Sequence, residues 1–291
     1  MGGGFGGVRA ALDLSRYPLD FDIILIDRDG YHTYQADFYK LVSSGRGPVH
    51  SSRTGFRLAY STVALPLAEI FENKKNVELL LEEAVAVHPT SNEVELAGGL
   101  PGQGRRILYD ILILASGSRT NFYGIPGLAA RAIELKTPED ALNIRNAIDE
   151  TFARKQKREK ISIVNAGGGF SGTELAAELA LRLPKLAEEH GRPMNSAELT
   201  IVESSSQVLM SAAPWFRKKT EARLRSLGVR IIFSDSVTGA RDNAIDLKSG
   251  KQLAFDVLIW TAGVAASALA EKTTGAALAK GTCIVVDSRL P

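Results

Sequence analysis

The hydrophobic positions of this chain fall into short apolar runs of strand length, separated by stripes of helical period. Near the start, residues 8–15 read as a helix, and Phe21-Asp22-Ile23-Ile24-Leu25-Ile26 reads as a strand. A polar-aromatic segment (31–44) and a polar, glycine-bearing surface loop (46–61) follow. A short helical pattern spans 65–72 and a strand region spans 77–87. Glu93-Val94-Glu95-Leu96 alternates, and a turn over 98–104 leads into a strand over 106–114. Thr137 as N-cap and Pro138 at the first helical position open another helix.

The strongest pattern lies further on. Ile161-Ser162-Ile163-Val164 is a buried strand of a parallel sheet, and a helix runs from Thr173 to about Leu183. Residues 184–196 form its extended end and a polar loop, and Leu199-Thr200-Ile201-Val202 is the next strand. After it come an amphipathic helix over 215–227 stopped by Gly228, a strand over 229–233, and a hairpin over 243–255 turning at Ser249-Gly250. A last strand covers 282–287. Strands alternating with helices predict an α/β fold with parallel sheets.

Between the strand at 161–164 and its helix, Gly167, Gly169 and Gly172 fit G-x-G-x-x-G. Gly167 permits the tight turn, Gly169 lets backbone approach a pyrophosphate, and Gly172 lets helix and strand pack closely. The helix N-terminus offers unpaired N–H groups to the phosphates. Glu203, at the end of the following strand, is placed to accept hydrogen bonds from a ribose 2′-OH. A lone glycine motif is weak evidence in a chain of 291 residues with 27 glycines, but strand, turn, helix and acid in this order identify a dinucleotide site.

The same fingerprint occurs at the start. Gly2, Gly4 and Gly7 precede the first helix, and Asp27 ends the next strand. The strand that should come before Gly2 is absent, so the real N-terminus is expected to lie upstream of Met1. A second echo supports duplication. Tyr109-Asp110-Ile111-Leu112-Ile113-Leu114-Ala115-Ser116-Gly117 aligns without gaps to Phe255-Asp256-Val257-Leu258-Ile259-Trp260-Thr261-Ala262-Gly263. Both are buried-strand patterns ending in small residues, where a cofactor can approach the backbone. Two nucleotide-binding units are predicted.

Composition narrows the class. A formal net charge of +2 gives no reason to expect nucleic acid, and the basic run at 154–160 reads as a solvated helix end and linker. Cys283 is the one cysteine, which excludes an internal disulfide and a redox-active cysteine pair. No metal site is indicated. No apolar run reaches the roughly 18 residues needed to span a bilayer and no signal peptide precedes the first motif, so the expectation is a cytoplasmic protein.

GGGFGGVRAALDL, IDRDGYHTYQADFY, YDILILASGS, GIPG, ELKTPEDALNIRNAI, GGGFSGTELAAEL and VLIWTAGV together resemble type II NADH dehydrogenases. These are single-subunit, peripheral-membrane NADH:quinone oxidoreductases within the two-dinucleotide-binding flavoproteins. The resemblance covers nearly the whole chain. It implies two Rossmann-like, three-layer ββα domains, with the NAD domain (158–265) inserted in the FAD domain (1–157 and 266–291). FAD would be held by Gly2, Gly4, Phe5, Gly7, Asp27, Arg28, Val85 (through its backbone), Ala115, Ser116 and Gly117. NADH would be held by Gly167, Gly169, Phe170, Ser171, Gly172, Glu203, Ala262 and Gly263. Gln35 would lie near the isoalloxazine ring, and Glu174 near the nicotinamide. An ordinary first-turn helix carboxylate is an equal reading of Glu174.

Hydride would pass from NADH to FAD and then two electrons to a quinone, and Glu203 would favour NADH over NADPH. The family's Gly-Asp flavin segment, quinone-site residues and C-terminal membrane helices would lie beyond Pro291, so 1–291 alone should hold FAD weakly. Through those helices the resemblance allows contact with the inner face of the cell membrane, and it allows a homodimer. Ala36 and Asp37 stand where the family has proline and an apolar residue, predicting a differently shaped flavin loop. Two other functions share these sites: a soluble NADH-dependent reductase with a protein acceptor such as ferredoxin, and a non-catalytic nucleotide-binding module that has lost its flavin site.

Overall fold

The computed structural model describes residues 1–17, 21–44, 63–100 and 103–288, so the loop expected at 46–61 lies outside the described residues. In chain order the elements begin with α1 (Phe5–Leu14), β1 (Ile23–Ile26), β2 (Tyr31–Thr33), α2 (Phe38–Ser43), β3 (Ala64–Pro66) and α3 (Leu67–Phe71). They continue with β4 (Val77–Leu80), β5 (Ala84–His88), β6 (Glu93–Leu100), β7 (Gln103–Leu108), β8 (Ser118–Thr120), β9 (Ile133–Glu134) and α4 (Pro138–Arg154). Next are β10 (Ile161–Ala166), α5 (Phe170–Glu189), β11 (Ala197–Val202), α6 (Pro214–Ser226), β12 (Arg230–Ile232) and β13 (Val237–Ala240). The last are β14 (Ala244–Leu247), β15 (Gln252–Ala254), β16 (Val257–Trp260), β17 (Val264–Ala266) and α7 (Ala268–Glu271).

The chain forms two compact units. One comprises Met1–Tyr34, Ala64–Arg119 and Val264–Pro291, the other Gln35–Val63 and Thr120–Gly263. This division follows packing. It runs at other residues than the nucleotide-domain boundaries expected from the sequence, which concern ligands.

The second unit is built on a parallel sheet in the order β12-β11-β10-β16-β9. Its three central strands, β11, β10 and β16, are largely buried on both faces, and successive side chains go to different cores. Ile161, Ile163, Leu199, Ile201, Val257 and Ile259 join α2, α4, α5 and Leu224 of α6 in one core. Val164, Ala166, Val202, Leu258 and Trp260 face the antiparallel meander β13-β14-β15 in the other. Helices, sheet and meander make three layers.

The first unit repeats this layering at smaller scale. Leu25 of β1 packs with Val8 and Ala11 of α1 and with Leu67 and Phe71 of α3. Its neighbour Ile26 packs with Val94 and Leu96 of the antiparallel meander β5-β6-β7. Among the described residues the parallel part here is the pair β1-β4. The chain is an α/β protein of two Rossmann-like, three-layer units.

Local signals agree with most elements. Thr137 caps α4 by accepting from Asp140 N–H at 3.1 Å, while the Asp140 carboxylate accepts from Thr137 N–H at 2.7 Å. Gly250 (φ +83°) turns the hairpin between β14 and β15, and Gly228 (φ +83°) follows α6.

Three expectations need correction. The helix expected to end near Leu183 continues as α5 to Glu189, with Pro184 inside it. The lost hydrogen bond is outweighed by burial of Leu183, Leu186 and Ala187 in the main core. The strand expected over 106–114 is replaced by β7, ending at Leu108, and an irregular stretch to Gly117. A strand needs a neighbour to ladder with, and among the described residues Ile113 O and Ala115 N–H are bonded by Met1. Ile111, in the pattern of a buried strand, is 75% exposed. The strand expected over 282–287 is likewise absent: Ile284 makes an isolated bridge to Leu278, and Val285 and Val286 are exposed.

Candidate functional site: two glycine turns

In the second unit, β10 delivers the chain to Gly167, whose φ of +121° is open to glycine. A Cβ there would lie 2.7 Å from the Thr261 hydroxyl, and one at Gly172 would run into the Gly167 carbonyl oxygen. Gly169 faces open space and is the N-cap of α5 with no side-chain cap, so the first N–H groups of the helix are unclaimed by a capping side chain. That combination is what a pyrophosphate requires.

The acid has two tasks here. One oxygen of Glu203 accepts from Gly168 N–H at 2.6 Å and the other from Ser205 N–H at 2.7 Å. The oxygen bound to Gly168 retains a lone pair for a ribose hydroxyl, whereas the other also accepts from the Ser204 hydroxyl at 3.2 Å. Phe170 and Ser171 are exposed in the first turn of α5. Beside the turn, at the end of β16, Ala262 N lies 2.8 Å from where a Gly167 Cβ would be. A Cβ at Gly263 would lie 2.5 Å from the ring of the exposed Tyr123, which would have to move to admit one.

The first unit repeats the geometry. Gly2 has φ +99°, and a Cβ there would run into the Ala115 carbonyl oxygen. A Cβ at Gly7 would strike the Gly2 carbonyl oxygen, and Gly4, the uncapped N-cap of α1, faces open space. Asp27 Oδ2 accepts from Gly3 N–H at 2.6 Å, while Oδ1 accepts from Asp29 and Gly30 N–H groups. Phe5 is exposed, edge-on to His32 and Tyr34. Arg28 reaches Asp29 at 3.3 Å and Glu83 at 3.7 Å.

Val85 falls where the register of β5 against β6 shifts between Ala84 and Ala86, a bulge that leaves its backbone outside the ladder. Ala115 backs the turn through its N–H to Met1 O. The Ser116 hydroxyl lies 2.6 Å from that of Ser267, and Gly117 (φ +70°) accepts from Ser267 N–H.

Gln35 and Glu174 are brought into the same unit, the second, on the 3-10 turn Gln35–Asp37 and on α5. Gln35 Oε1 accepts from Lys136 Nζ at 3.3 Å. Burial pushes the Glu174 carboxyl above the usual range; Asp37 adds to the rise and Lys40 opposes it.

Several residues that sequence reasoning missed hold these turns. The carbonyl of each second glycine is served from the side: Gly3 O by His32 Nδ1 at 3.1 Å, and Gly168 O by Leu209 N–H at 2.8 Å. Asn165, fully buried, donates to Gly167 O at 2.9 Å, and the Thr261 hydroxyl reaches Asn165 Oδ1 at 3.2 Å. A polar Asn165 closing an apolar strand was the available signal.

The whole chain, residues 1–291, matches one family, described as pyridine nucleotide-disulphide oxidoreductase. The chain belongs to this family. FAD and NADH are the family's cofactors, and both turns fit them: neither cradle has room for a Cβ at its first or third glycine, and each leaves a helix N-terminus open. The chain is 25% identical over 283 residues to a type II NADH:quinone oxidoreductase of Staphylococcus haemolyticus, covering 94% of this chain and 66% of that protein. It is 28% identical over 288 residues to the Mycobacterium tuberculosis type II NADH:quinone oxidoreductase Ndh, covering 92% and 58%. Its fold is similar to Plasmodium falciparum NDH2 in complex with NADH, with TM-score 0.80 and 20% identity over 94% of this chain and 55% of that one. The chain thus spans about three-fifths to two-thirds of the length of these curated relatives. No helix among the described residues is long and apolar enough to cross a membrane.

Proposed function

We propose that this protein is an FAD-dependent oxidoreductase that takes a hydride from NADH and passes two electrons to a quinone. The observation that carries the two-cofactor reading is the duplicated turn, in which the second glycine's N–H is bound to the ribose-directed acid at 2.6 Å in both units. The quinone is supported by the names of the curated relatives, type II NADH:quinone oxidoreductases.

In this reading residues 1–157 and 266–291 serve FAD, and 158–265 serve NADH. The open N–H groups of α1 and α5 bind the two pyrophosphates. Asp27 and Glu203 fix the adenosine riboses, and the charge of Glu203 rejects a 2′-phosphate, favouring NADH over NADPH. Phe5, Arg28, Val85, Ala115, Ser116 and Gly117 border the flavin, and Phe170, Ser171, Ala262 and Gly263 border the nicotinamide nucleotide. Glu174 sits beside the nicotinamide, and Gln35 is the polar group directed to the flavin ring. When bound, the nicotinamide and flavin supply the hydride and electron chemistry; the residues orient them and exclude water.

The test is stopped-flow mixing of the full-length, flavin-loaded protein with NADH and then a water-soluble quinone. Flavin absorbance should bleach with NADH and recover with quinone. Absence of bleaching overturns the oxidoreductase reading. Bleaching that recovers with ferredoxin and not with quinone overturns the acceptor.

A further inference from the structure

At the carboxyl end of β16 a strained backbone carries an exposed ring. Tyr123 has φ +53° and Gly124 has φ +65°, and Ile125 N–H donates to Phe122 O at 3.0 Å. Two successive positive φ values closed by that bond make a type I′ turn, whose first inner position favours Asn, Asp or Gly. A tyrosine there is strained through its Cβ. Packing does not account for the choice. Phe122 and Ile125 make the turn's contacts with the core around Trp260, whereas Tyr123 is 61% exposed.

The turn is nevertheless fixed to the strand end. Asn121 N–H donates to Gly263 O at 3.1 Å, and Asn121 O accepts from the Trp260 indole N–H at 2.9 Å. Asn121 Oδ1 accepts from Tyr123 N–H at 2.8 Å. So seated, the Tyr123 ring meets Trp260 edge-on, with centroids 6.5 Å apart and planes at 69°. It lies against Gly263: Cε2, Cζ and the hydroxyl oxygen stand 2.5–2.8 Å from where a Cβ would be. Ala262, one residue earlier, backs the Gly167 turn.

The strand order gives this ring its place relative to a dinucleotide. Across the carboxyl ends, β11 leads to Glu203, β10 to the glycine turn and β16 to Ala262 and Gly263. With the adenosine ribose at Glu203 and the pyrophosphate at the turn, the other half of the molecule runs over the end of β16. We propose that Tyr123 is a binding residue for the nicotinamide half of NADH, its ring forming an apolar wall for the nicotinamide and its ribose. The proposal rests on the reading of the Gly167–Gly172 turn as the NADH site. Residues held in rare backbone regions cluster where ligands are gripped. A ring fixed by its backbone also loses little freedom when a ligand settles on it.

The experiment is a calorimetric titration of the flavin-loaded, full-length protein with two ligands. One is the oxidised nicotinamide dinucleotide, which cannot reduce the flavin. The other is ADP, which carries the adenosine and pyrophosphate without the nicotinamide half. Tyr123→Asn should weaken the dinucleotide about tenfold and leave ADP unchanged. Because asparagine suits the turn, the same variant should melt roughly 2–4 °C higher without nucleotide. A residue kept for packing would not give a firmer fold together with weaker binding. Tyr123→Phe keeps the ring and should hold the dinucleotide within about twofold of the unsubstituted protein. Unchanged dinucleotide affinity in Tyr123→Asn overturns the proposal and leaves the reading of the site standing. Equal weakening of both ligands, a lower melting temperature, or a Tyr123→Phe protein as weak as Tyr123→Asn also overturns it. If the unsubstituted protein binds neither ligand, the reading of the turn as the NADH site fails as well.

Discussion

The turns at Gly2–Gly7 and Gly167–Gly172 are nearly superimposable in their local chemistry and differ in what supports them. Both start a helix at a glycine N-cap of the same extended conformation, φ −78° and ψ −169° at Gly4, φ −74° and ψ −173° at Gly169. Both tie the second glycine's N–H to an acid at 2.6 Å. Beneath the second turn lies a five-stranded parallel sheet, with Asn165 and Thr261 bonding the turn from inside. Beneath the first lies, among the described residues, a two-stranded pair, and Met1–Gly2 bonds Ile26 on one side and the 113–115 stretch on the other. Turn geometry is thus a local property of the glycines and the acid. Its rigidity is a property of the sheet.

The largest effect should come from filling the cradles. Gly172→Ala drives a Cβ into the Gly167 carbonyl oxygen and Gly7→Ala does the same at Gly2. Each should cost about 3 kcal/mol at its own site, roughly 100-fold in affinity. Gly172→Ala should lose NADH binding and retain flavin, and Gly7→Ala the reverse, as read by NADH titration and by flavin content after purification. Loss of the same cofactor in both variants would break the comparison.

Next is Asn165→Ala, which strips the buried Gly167 carbonyl and Thr261 hydroxyl of a partner. A loss of about 2 kcal/mol is expected in a denaturant titration, confined to the second unit's transition. An unchanged midpoint would mean that the internal polar bonds do not stiffen this turn.

His32→Ala probes the corresponding support in the first unit. It leaves Gly3 O without its side-chain donor and should weaken flavin binding by about 1 kcal/mol, roughly fivefold. His32→Asn should recover part of that loss; equal flavin retention in all three proteins would remove His32 from the turn.

The smallest effect concerns pH. The Ser249 hydroxyl, at 2.6 Å, holds the Asp235 carboxyl below the usual range against opposing burial, helped by the Ser249 and Ser236 N–H groups and Lys251. A carboxyl whose folded pKa is depressed stabilises the protein above its unfolded value, and that contribution fades as pH falls through the folded one. Acid should therefore loosen the meander of the second unit, and Asp235→Asn should flatten the acid limb of its melting temperature. A limb as steep as in the unsubstituted protein would count against this.

Several features could be read from the chain before any coordinates. The glycine spacings, the acids that close Ile26 and Val202, the cap at Thr137 and the turn at Gly250 are set by neighbours in sequence, where steric limits and single hydrogen bonds decide. The supports at His32, Leu209 and Thr261 were not legible, because each reaches its glycine from a distant segment.

Tertiary structure also decided the fate of two equal patterns. Residues 109–117 and 255–263 carry the same apolar run, yet Val257–Trp260 becomes a central strand between β10 and β9, and Ile111 faces solvent. An apolar run records only that burial would be favourable. Whether it becomes a strand depends on neighbours that satisfy its backbone, and the second sheet provides them on both sides.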